Sequence, residues 1–169
     1  KLEAALVNIS LPDENGMVSL GTSVDCSPAA IECARIVIGV VNPNVPYSYG
    51  ESIPLSEFDY LVQDDEPLVT AHFAEPTELE VQIGKNCASL IDDGDCLQMG
   101  IGALPNALAS QLAGHKDLGL HTEMFADGLL RLIKSGVING RRKKIDTGKV
   151  VSSFLLGSQD VYSFIDHNP

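Results

Sequence analysis

The sequence is short of positive charge. It contains 11 lysines and arginines against 23 aspartates and glutamates, so its net charge is −12. A chain this acidic is repelled by phosphate backbones and by anionic lipid surfaces. We therefore expect neither nucleic acid nor a membrane as a partner. The one basic cluster, residues 141–144, follows Asn139-Gly140 and is interpreted as a solvated turn, the alternative being a site for a ligand's phosphates.

Long apolar stretches are also absent. No run approaches the roughly 18 apolar residues of a membrane span, and the start at Lys1 lacks the basic and apolar regions of a signal peptide. We expect a cytoplasmic protein. The hydrophobic fraction of 44% is enough for one domain with a real core, but 169 residues are too few for two full α/β domains.

Cysteine and histidine do not occur at the spacings of a metal site. The cysteines form no C-x-x-C pair, so we expect reduced core residues rather than disulfides or zinc ligands. The histidines are dispersed as well. These residues are Cys26, Cys33, Cys87, Cys96, His72, His115, His121 and His167. No metal site is predicted.

Apolar runs alternate with turn signals in the first part of the chain. The predicted elements are strand 5–9, turn 12–16, strand 17–20, helix 28–33, strand 36–41, loop 42–54 and strand 58–62. We interpret the first two strands as a hairpin, and Ser27-Pro28 as the N-cap and first residue of the helix. The β-branched strand 36–41 is typical of a buried strand in a parallel sheet.

A polar, proline-containing stretch at residues 64–76 resembles a linker, so we expect one domain over residues 1–75 and a second over 76–169. Thr77 and Glu80 then form a possible capping box. The predicted elements that follow are helix 77–91, strand 96–99, helix 105–113, strand 118–121, helix 125–133, strand 149–156 and helix 159–165. This alternation predicts a parallel α/β sheet.

A glycine-containing turn joins strand 96–99 to the next helix, and we call residues 100–102 the glycine loop. Its sequence is Gly100-Ile101-Gly102, followed by Ala103-Leu104-Pro105. Glycines at such a point let the backbone approach a ligand and direct N–H groups at negative charge. The alternatives are a tight turn without a ligand and a dinucleotide-binding turn. The dinucleotide pattern requires a third glycine where Pro105 stands.

Glu123 follows the predicted strand 118–121 and precedes a predicted helix. The carboxyl ends of strands face the ligand crevice in open α/β sheets. If the two strands are neighbours, Glu123 could be a nucleophile facing the amides of the glycine loop. The alternative is an acid that complements the helix dipole. His121 either orients Glu123 or fills space at the strand end.

The segments around the glycine loop and Glu123 resemble the acetyl-CoA hydrolase/transferase family, a group of family I CoA-transferases. The stretches that carry the resemblance are Leu97-Gln98-Met99-Gly100-Ile101-Gly102-Ala103-Leu104-Pro105-Asn106-Ala107 and Lys116-Asp117-Leu118-Gly119-Leu120-His121-Thr122-Glu123-Met124-Phe125-Ala126-Asp127-Gly128. Shorter matches at residues 49–53, 74–77, 146–149 and 166–169 extend it over essentially the whole chain. The likeness is to 4-hydroxybutyrate and butyrate:acetate CoA-transferases.

Glu14-Asn15-Gly16 is a misleading match to related enzymes. It spells the tripeptide that carries the nucleophile in related coenzyme A transferases. Here it is expected at the tip of a hairpin, where nothing excludes water, so we interpret it as structural.

The resemblance implies a fold and a set of roles. The chain would span parts of two open α/β domains of the NagB/RpiA-like CoA-transferase type, the end of the first domain and the start of the second. Glu123 would be the catalytic nucleophile, and the Ile101 amide an oxyanion donor. The coenzyme A-binding residues would be Gly100, Ile101, Gly102, Ala103 and Leu104. Tyr47 stands where the family pattern leads us to expect arginine.

The resemblance also implies an activity. Coenzyme A would pass between an acyl-CoA and a small carboxylate such as acetate, through a glutamyl thioester, with no tightly bound cofactor. The alternatives are acyl-CoA hydrolysis at the same site and a nucleotide-binding domain without transferase activity. A homo-oligomer is expected. Because the family's enzymes are longer, we also expect a piece of a longer polypeptide. A further alternative is that this piece has no activity alone, because the missing segments leave the site open.

Overall fold

The computed structural model describes residues 2–71 and 73–169, so His72 lies outside the described residues. Its elements are β1 (Leu2–Ile9), β2 (Met17–Ser19), α1 (Ser27–Cys33), β3 (Ala34–Val41), β4 (Ser52–Pro54), β5 (Tyr60–Gln63), α2 (Glu78–Ala88), β6 (Cys96–Leu97), α3 (Ala103–Gln111), β7 (Gly119–Phe125), α4 (Asp127–Lys134), β8 (Val151–Leu155) and α5 (Gln159–Ile165). The predicted α/β class with parallel strands is confirmed.

The chain forms two compact units. The first comprises the chain up to Thr70 together with Gln159–Pro169, and the second comprises Ala71–Ser158. The assignment of residues 1–75 and 76–169 to two successive CoA-transferase domains stays a prediction. Each unit is described by itself below.

In the first unit, β1, β3 and β5 form a parallel sheet with β3 in the centre. Alternate residues of β1 are buried, which is the pattern of a strand with one covered face. The predicted hairpin is wrong, because β1 pairs with β3 whereas β2 pairs with β4 in a separate antiparallel sheet. Apolar side chains from β1, β2, α1 and β3, from the residue after β2 and from the segment before β5 meet in the core of this unit: Ala5, Val7, Ile9, Val18, Leu20, Ile31, Val37 and Phe58.

Other local predictions in this unit need small corrections. The N-cap of α1 is Cys26 rather than Ser27, since the helix begins one residue earlier than predicted. The long loop is shorter than 42–54 because β4 occupies its end. The turn around Glu14 is confirmed, and the Glu14 side chain is exposed there.

Tyr47, at the expected arginine position, is held by its neighbours in the first unit. Its ring stacks on His167 with a centroid separation of 5.2 Å, and its hydroxyl donates to Asp13 Oδ2 at 3.3 Å. Hydrogen bonds from the main-chain N–H of Met17, from Asn15 and from Tyr47 together hold the pKa of Asp13 below its usual value. An arginine at this position would have neither the ring that stacks on His167 nor the hydroxyl that donates to Asp13.

In the second unit, β6, β7 and β8 form a parallel sheet with β7 in the centre. The capping box that starts α2 is confirmed, with Thr77 and Glu80 bonding reciprocally. Hydrogen bonds from the main-chain N–H and the hydroxyl of Thr77 hold the pKa of the Glu80 carboxyl below its usual value. The helix ends at Ala88, earlier than the predicted residue 91, and the two residues that follow form a turn.

The expected burial of the cysteines is wrong. All four cysteines are free but exposed, so they are not core residues. The apolar side chains of α2 at helical spacing, such as Leu79 and Ile83, are also exposed, and the buried positions are Gly84 and Ala88. Small residues face α3 because the two helices approach too closely for large ones.

No helix among residues 2–71 and 73–169 is long and apolar enough to cross a membrane. In the same residues, no group of three or more His, Cys, Asp or Glu side chains is placed to hold a metal ion.

Gly84 provides a test of the α2–α3 contact. A Cβ added at Gly84 would lie 2.9 Å from the main-chain carbon of Ala107 and from the main-chain nitrogen of Leu108. Although alanine is the better helix former, we expect Gly84→Ala to lower the free energy of unfolding by about 1–3 kcal/mol through overpacking. Urea denaturation measures this change.

Gly114→Ala is the matched control in the same unit. A Cβ at Gly114 meets nothing within 4 Å. We expect its free energy of unfolding to stay within about 0.5 kcal/mol of the parent value. A stabilised Gly84→Ala protein would contradict the close approach of the two helices.

Candidate functional site

Glu123 lies inside strand β7 rather than at the start of a helix. The strand is longer than predicted and runs to Phe125, so α4 begins only at Asp127. Asp127 is the acid in the first turn of α4, and the interpretation of Glu123 as a helix N-terminal acid is therefore wrong. The sequence misled here because a hydrophilic glutamate interrupts the strand two residues before its end.

The two faces of β7 differ in burial near Glu123. Leu120, Thr122 and Met124 are buried, whereas His121 and Glu123 between them are exposed. This alternation follows from the period of two along a strand. Glu123 thus presents its carboxylate on an open face close to the carboxyl end of the central strand. His121 shares this face and, being exposed, does not fill space in the core.

The glycine loop lies beside Glu123 on the neighbouring strand. β6 pairs with β7 in parallel, with Cys96 opposite Gly119 and Leu97 opposite Leu120. The Thr122 hydroxyl then accepts from the Met99 N–H at 3.0 Å and donates to the Met99 carbonyl at 2.8 Å. The same register places Met99 opposite Thr122 and, one residue further along both segments, Gly100 level with Glu123. The structure therefore brings together the two segments that the sequence singled out.

The backbone of the glycine loop is shaped by its second glycine. Gly102 is the N-cap of α3, with φ of 108° and ψ of −173°. This conformation is accessible essentially to glycine alone. Ile101 before it is 48% exposed, and its main-chain N–H has no hydrogen-bond partner within the described residues. The loop thus offers an unpaired N–H donor at the carboxyl edge of the sheet, the edge near which Glu123 lies on β7.

The other side of β7 is held by β8. His121 pairs with Val151 and Thr122 with Ser152, and the Ser153 hydroxyl donates to the main-chain carbonyl of Glu123 at 2.7 Å. The backbone of Glu123 is therefore fixed by β8 on one side. On the other side it is fixed through Thr122 and Met99.

Lys143 corrects the interpretation of the basic turn. The interpretation as a solvated turn holds for Arg141 and Lys144, but Lys143 is only 7% exposed. Its ammonium donates to the carbonyls of Leu120 at 3.2 Å and Lys149 at 2.8 Å. The lysine stem fits because residue 119 is glycine, where a Cβ would come within 2.6 Å of Lys143 Cγ. Lys143 therefore links the segments that enter β7 and β8.

An open depression lies near the amino ends of β6 and β7. It is lined by Ile91, Asp92, Asp93, Gln111, Gly114 and His115. His115 Nε2 lies 3.0 Å from the carbonyl of Ile91, and its Nδ1 is buried without a partner in the described part of the chain. Ligands of parallel α/β sheets bind at the carboxyl ends of the strands, so this depression does not belong to the site around Glu123.

Sequence reasoning missed Thr122, Ser153 and Lys143. Thr122 could have been found from its position, because a residue next to an exposed strand carboxylate points to the opposite face, and a polar side chain there requires a partner. Ser153 and Lys143 gave no comparable signal, since their contacts depend on the placement of β8 and of the turn after α4.

Comparison with known proteins agrees with this architecture. Residues 1–72 match the family model described as the acetyl-CoA hydrolase/transferase N-terminal domain. The chain is 43% identical to 4-hydroxybutyrate coenzyme A transferase of Clostridium kluyveri, over 99% of this chain and 39% of that protein. It is 41% identical to a probable butyrate:acetyl-CoA coenzyme A-transferase of Syntrophomonas wolfei, over 98% of this chain and 38% of that protein.

Solved structures show the same fold. The crystal structure of 4-hydroxybutyrate CoA-transferase from Porphyromonas gingivalis superposes with a TM-score of 0.96 at 46% identity, covering 99% of this chain and 43% of that one. RipA from Yersinia pestis gives a TM-score of 0.95 at 36% identity, over 99% of this chain and 39% of that one. The chain thus spans about two fifths of the length of the relatives it matches. Residues 1–72 therefore belong to the N-terminal domain of the acetyl-CoA hydrolase/transferase family, and the chain along its length is similar to proteins named as CoA-transferases.

Proposed function

We propose that the protein containing this chain transfers coenzyme A from an acyl-CoA to a small carboxylate, and that Glu123 carries the coenzyme between them. The observation that carries this proposal is the pairing of an exposed strand glutamate with an exposed glycine loop in register beside it. The names of the relatives support the same type of reaction.

The reaction begins with attack on the donor thioester. A Glu123 oxygen bonds to the acyl carbon, the carbon–sulfur bond breaks, and coenzyme A leaves as the thiolate, which gives a mixed anhydride. The thiolate then attacks the side-chain carbonyl carbon of Glu123, and the donor acid leaves as a carboxylate. The product of this first half is a glutamyl thioester of coenzyme A.

The second half reverses these steps with a different acid. The acceptor carboxylate attacks the glutamyl carbonyl carbon and releases the thiolate, and the thiolate attacks the acceptor's carbonyl carbon. The new acyl-CoA departs and the Glu123 carboxylate is regenerated. No electrons are gained or lost in the cycle. No bound cofactor is needed, since coenzyme A itself is substrate and part of the covalent intermediate.

A glutamate suits this work because carboxylates are ionised at neutral pH and are good leaving groups once acylated. Each attack passes through a tetrahedral oxyanion, which the unpaired amide of Ile101 would stabilise. Gly100 and Gly102 leave the loop open to the thioester, and Ala103 and Leu104 at the start of α3 complete the proposed coenzyme-binding segment. Transfer also requires that water be excluded, since water attacking the same intermediates would hydrolyse acyl-CoA.

The substrates are proposed by class. The relatives are named for 4-hydroxybutyrate, butyrate, acetate and succinyl substrates, so a short-chain acyl-CoA and an acid such as acetate are the first to assay. A homo-oligomer and a cytoplasmic location remain predictions. The nucleotide-binding alternative is not favoured, because the relatives are named as CoA transferases.

Replacement of Glu123 tests the nucleophile. Glu123→Gln keeps the size of the side chain but removes the nucleophilic oxygen. In the full-length protein we expect it to lower kcat for butyryl-CoA and acetate by at least about 10³-fold, as when other covalent nucleophiles are removed. Incubation with butyryl-CoA followed by hydroxylamine should leave a hydroxamate on the peptide containing residue 123 of the parent protein, and mass spectrometry of the digest detects it.

Glu14→Gln is the control. Glu14 is also an exposed glutamate, and it lies in the Glu-Asn-Gly tripeptide that matches the nucleophile tripeptide of related coenzyme A transferases. It should retain the parent rate and the hydroxamate at residue 123. An active Glu123→Gln protein, or a hydroxamate at residue 14 instead, would refute the proposed role of Glu123.

The two glycines of the loop should respond differently to alanine. A Cβ at Gly100 would meet only Pro105 Cγ, at 3.8 Å, so Gly100→Ala should leave the free energy of unfolding within about 0.5 kcal/mol. If the thioester lies against this backbone, kcat/KM for the acyl-CoA should nevertheless fall about tenfold or more. Steady-state kinetics and urea denaturation of the same sample separate the two effects.

Gly102→Ala is the contrasting variant. Nothing lies within 4 Å of its Cβ position, but its φ of 108° strains any other residue. We expect a loss of about 1–3 kcal/mol in the free energy of unfolding. Unchanged kcat/KM in Gly100→Ala would argue that the substrate does not approach the loop.

A further inference from the structure

Thr122 is a buried polar residue that the proposed reaction does not use. It is 5% exposed, and its hydroxyl lies within hydrogen-bond distance of three main-chain groups. It accepts from the Met99 N–H at 3.0 Å, while the carbonyls of Met99 at 2.8 Å and Met124 at 3.2 Å are the acceptors for its proton. One side chain thus joins the segment before the glycine loop to the strand that carries Glu123.

The main-chain ladder between β6 and β7 is very short. It contains Cys96 and Leu97 only, and it stops before Met99. At the level of Thr122, both polar main-chain groups of Met99 are bound by the Thr122 side chain instead of by a neighbouring backbone. The next residue along the chain is Gly100, so the hydroxyl acts at the point where the strand becomes the loop.

The direction of the loop therefore depends on this hydroxyl. Gly100 and Ile101 are exposed, and Gly102 has space around its Cβ position, so packing supplies little to hold them. α3 fixes the far end of the loop through Ala107 and Ala109, which are buried. The near end is fixed at Met99, which is 5% exposed and bound by Thr122.

We infer that Thr122 is a positioning residue, which sets the distance between the glycine loop and Glu123 by fixing the main chain of Met99. This inference rests on the proposed function, because it assigns Thr122 to the oxyanion side of that same site. Thr122 faces away from the open face that holds Glu123, so it acts through Met99 and does not touch the substrate.

The decisive comparison is between valine and serine at this position. Thr122→Val keeps the branched shape but removes the hydroxyl, which leaves the Met99 N–H without its partner and the Met99 carbonyl with only the longer bond from Gln98 Nε2 at 3.4 Å. Thr122→Ser keeps the hydroxyl and loses a methyl group. In the full-length protein, with butyryl-CoA and acetate, we expect Thr122→Val to lower kcat about 10- to 100-fold with each KM within about threefold, since a small misplacement of a catalytic donor costs rate rather than affinity.

Thr122→Ser should keep kcat within about threefold of the parent, because its hydroxyl can make the same bonds. Hydrogen exchange measured by mass spectrometry should show faster exchange over residues 98–104 in Thr122→Val than in Thr122→Ser. Thr147→Val is the matched control, since the Thr147 hydroxyl donates to the carbonyl of Lys143 in the same unit, away from the glycine loop. It should keep the parent kcat.

A Thr122→Val protein that folds and keeps its kcat within threefold would overturn the inference. So would a Thr122→Ser protein that loses as much as the valine variant, because shape rather than hydrogen bonding would then be the cause. If Thr122→Val does not fold, Thr122→Ser decides alone: retained kcat supports the inference and a tenfold loss refutes it.

An inactive Glu123→Gln protein beside a fully active Thr122→Val protein would refute the positioning role only, whereas an active Glu123→Gln protein would refute the proposed function itself.

Discussion

The parallel register between β6 and β7 is the constraint on which the candidate site depends. Only two residues of β6 belong to the ladder, and the Thr122 hydroxyl continues it to Met99. Because the register is fixed there, the exposed carboxylate of Glu123 on β7 lies beside the loop after β6 that holds the unpaired main-chain N–H of Ile101. Slipping one strand by a residue would turn Glu123 toward the buried face.

The same short sheet shows how few contacts are needed to hold such a site. β8 pairs with β7 along the backbone, and the Ser153 hydroxyl donates to the Glu123 carbonyl. Near the start of β7, the Lys143 ammonium donates to the Leu120 carbonyl. Each of these contacts binds a main-chain group, so the side chains of His121 and Glu123 remain unobstructed on the open face. The main chain of β7 is thus held at several points while the face that carries Glu123 stays open.

Much of this architecture could be predicted from the sequence. The alternation of strands and helices gave the α/β class, the capping box placed the start of α2, and the last helix was predicted with the bounds observed. These signals are local, so a single sequence carries them. The adjacency of the glycine loop and Glu123 was expected only on condition that their strands are neighbours, and the structure meets that condition.

The errors arise where structure depends on distant partners. The apparent hairpin failed because β1 finds a better partner in β3, which provides a longer row of paired residues than β2 does. The buried face of α2 does not follow from the spacing of its apolar residues, because its close approach to α3 selects Gly84 rather than a large apolar residue. Lys143 was assigned to solvent because its two acceptors cannot be identified from the sequence. The Leu120 carbonyl belongs to a strand 23 residues earlier, and the Lys149 carbonyl is brought close by the turn between the two lysines.

The exposure of all four cysteines has a chemical consequence for a protein proposed to handle thioesters. An accessible thiolate exchanges with an acyl-CoA by transthioesterification, so acyl groups can load onto the surface as well as onto a glutamate. Hydroxylamine removes an acyl group from cysteine and restores the free thiol, whereas its attack on a glutamyl thioester leaves a hydroxamate on the protein. The two kinds of acylation are therefore distinguishable by what remains attached to the chain.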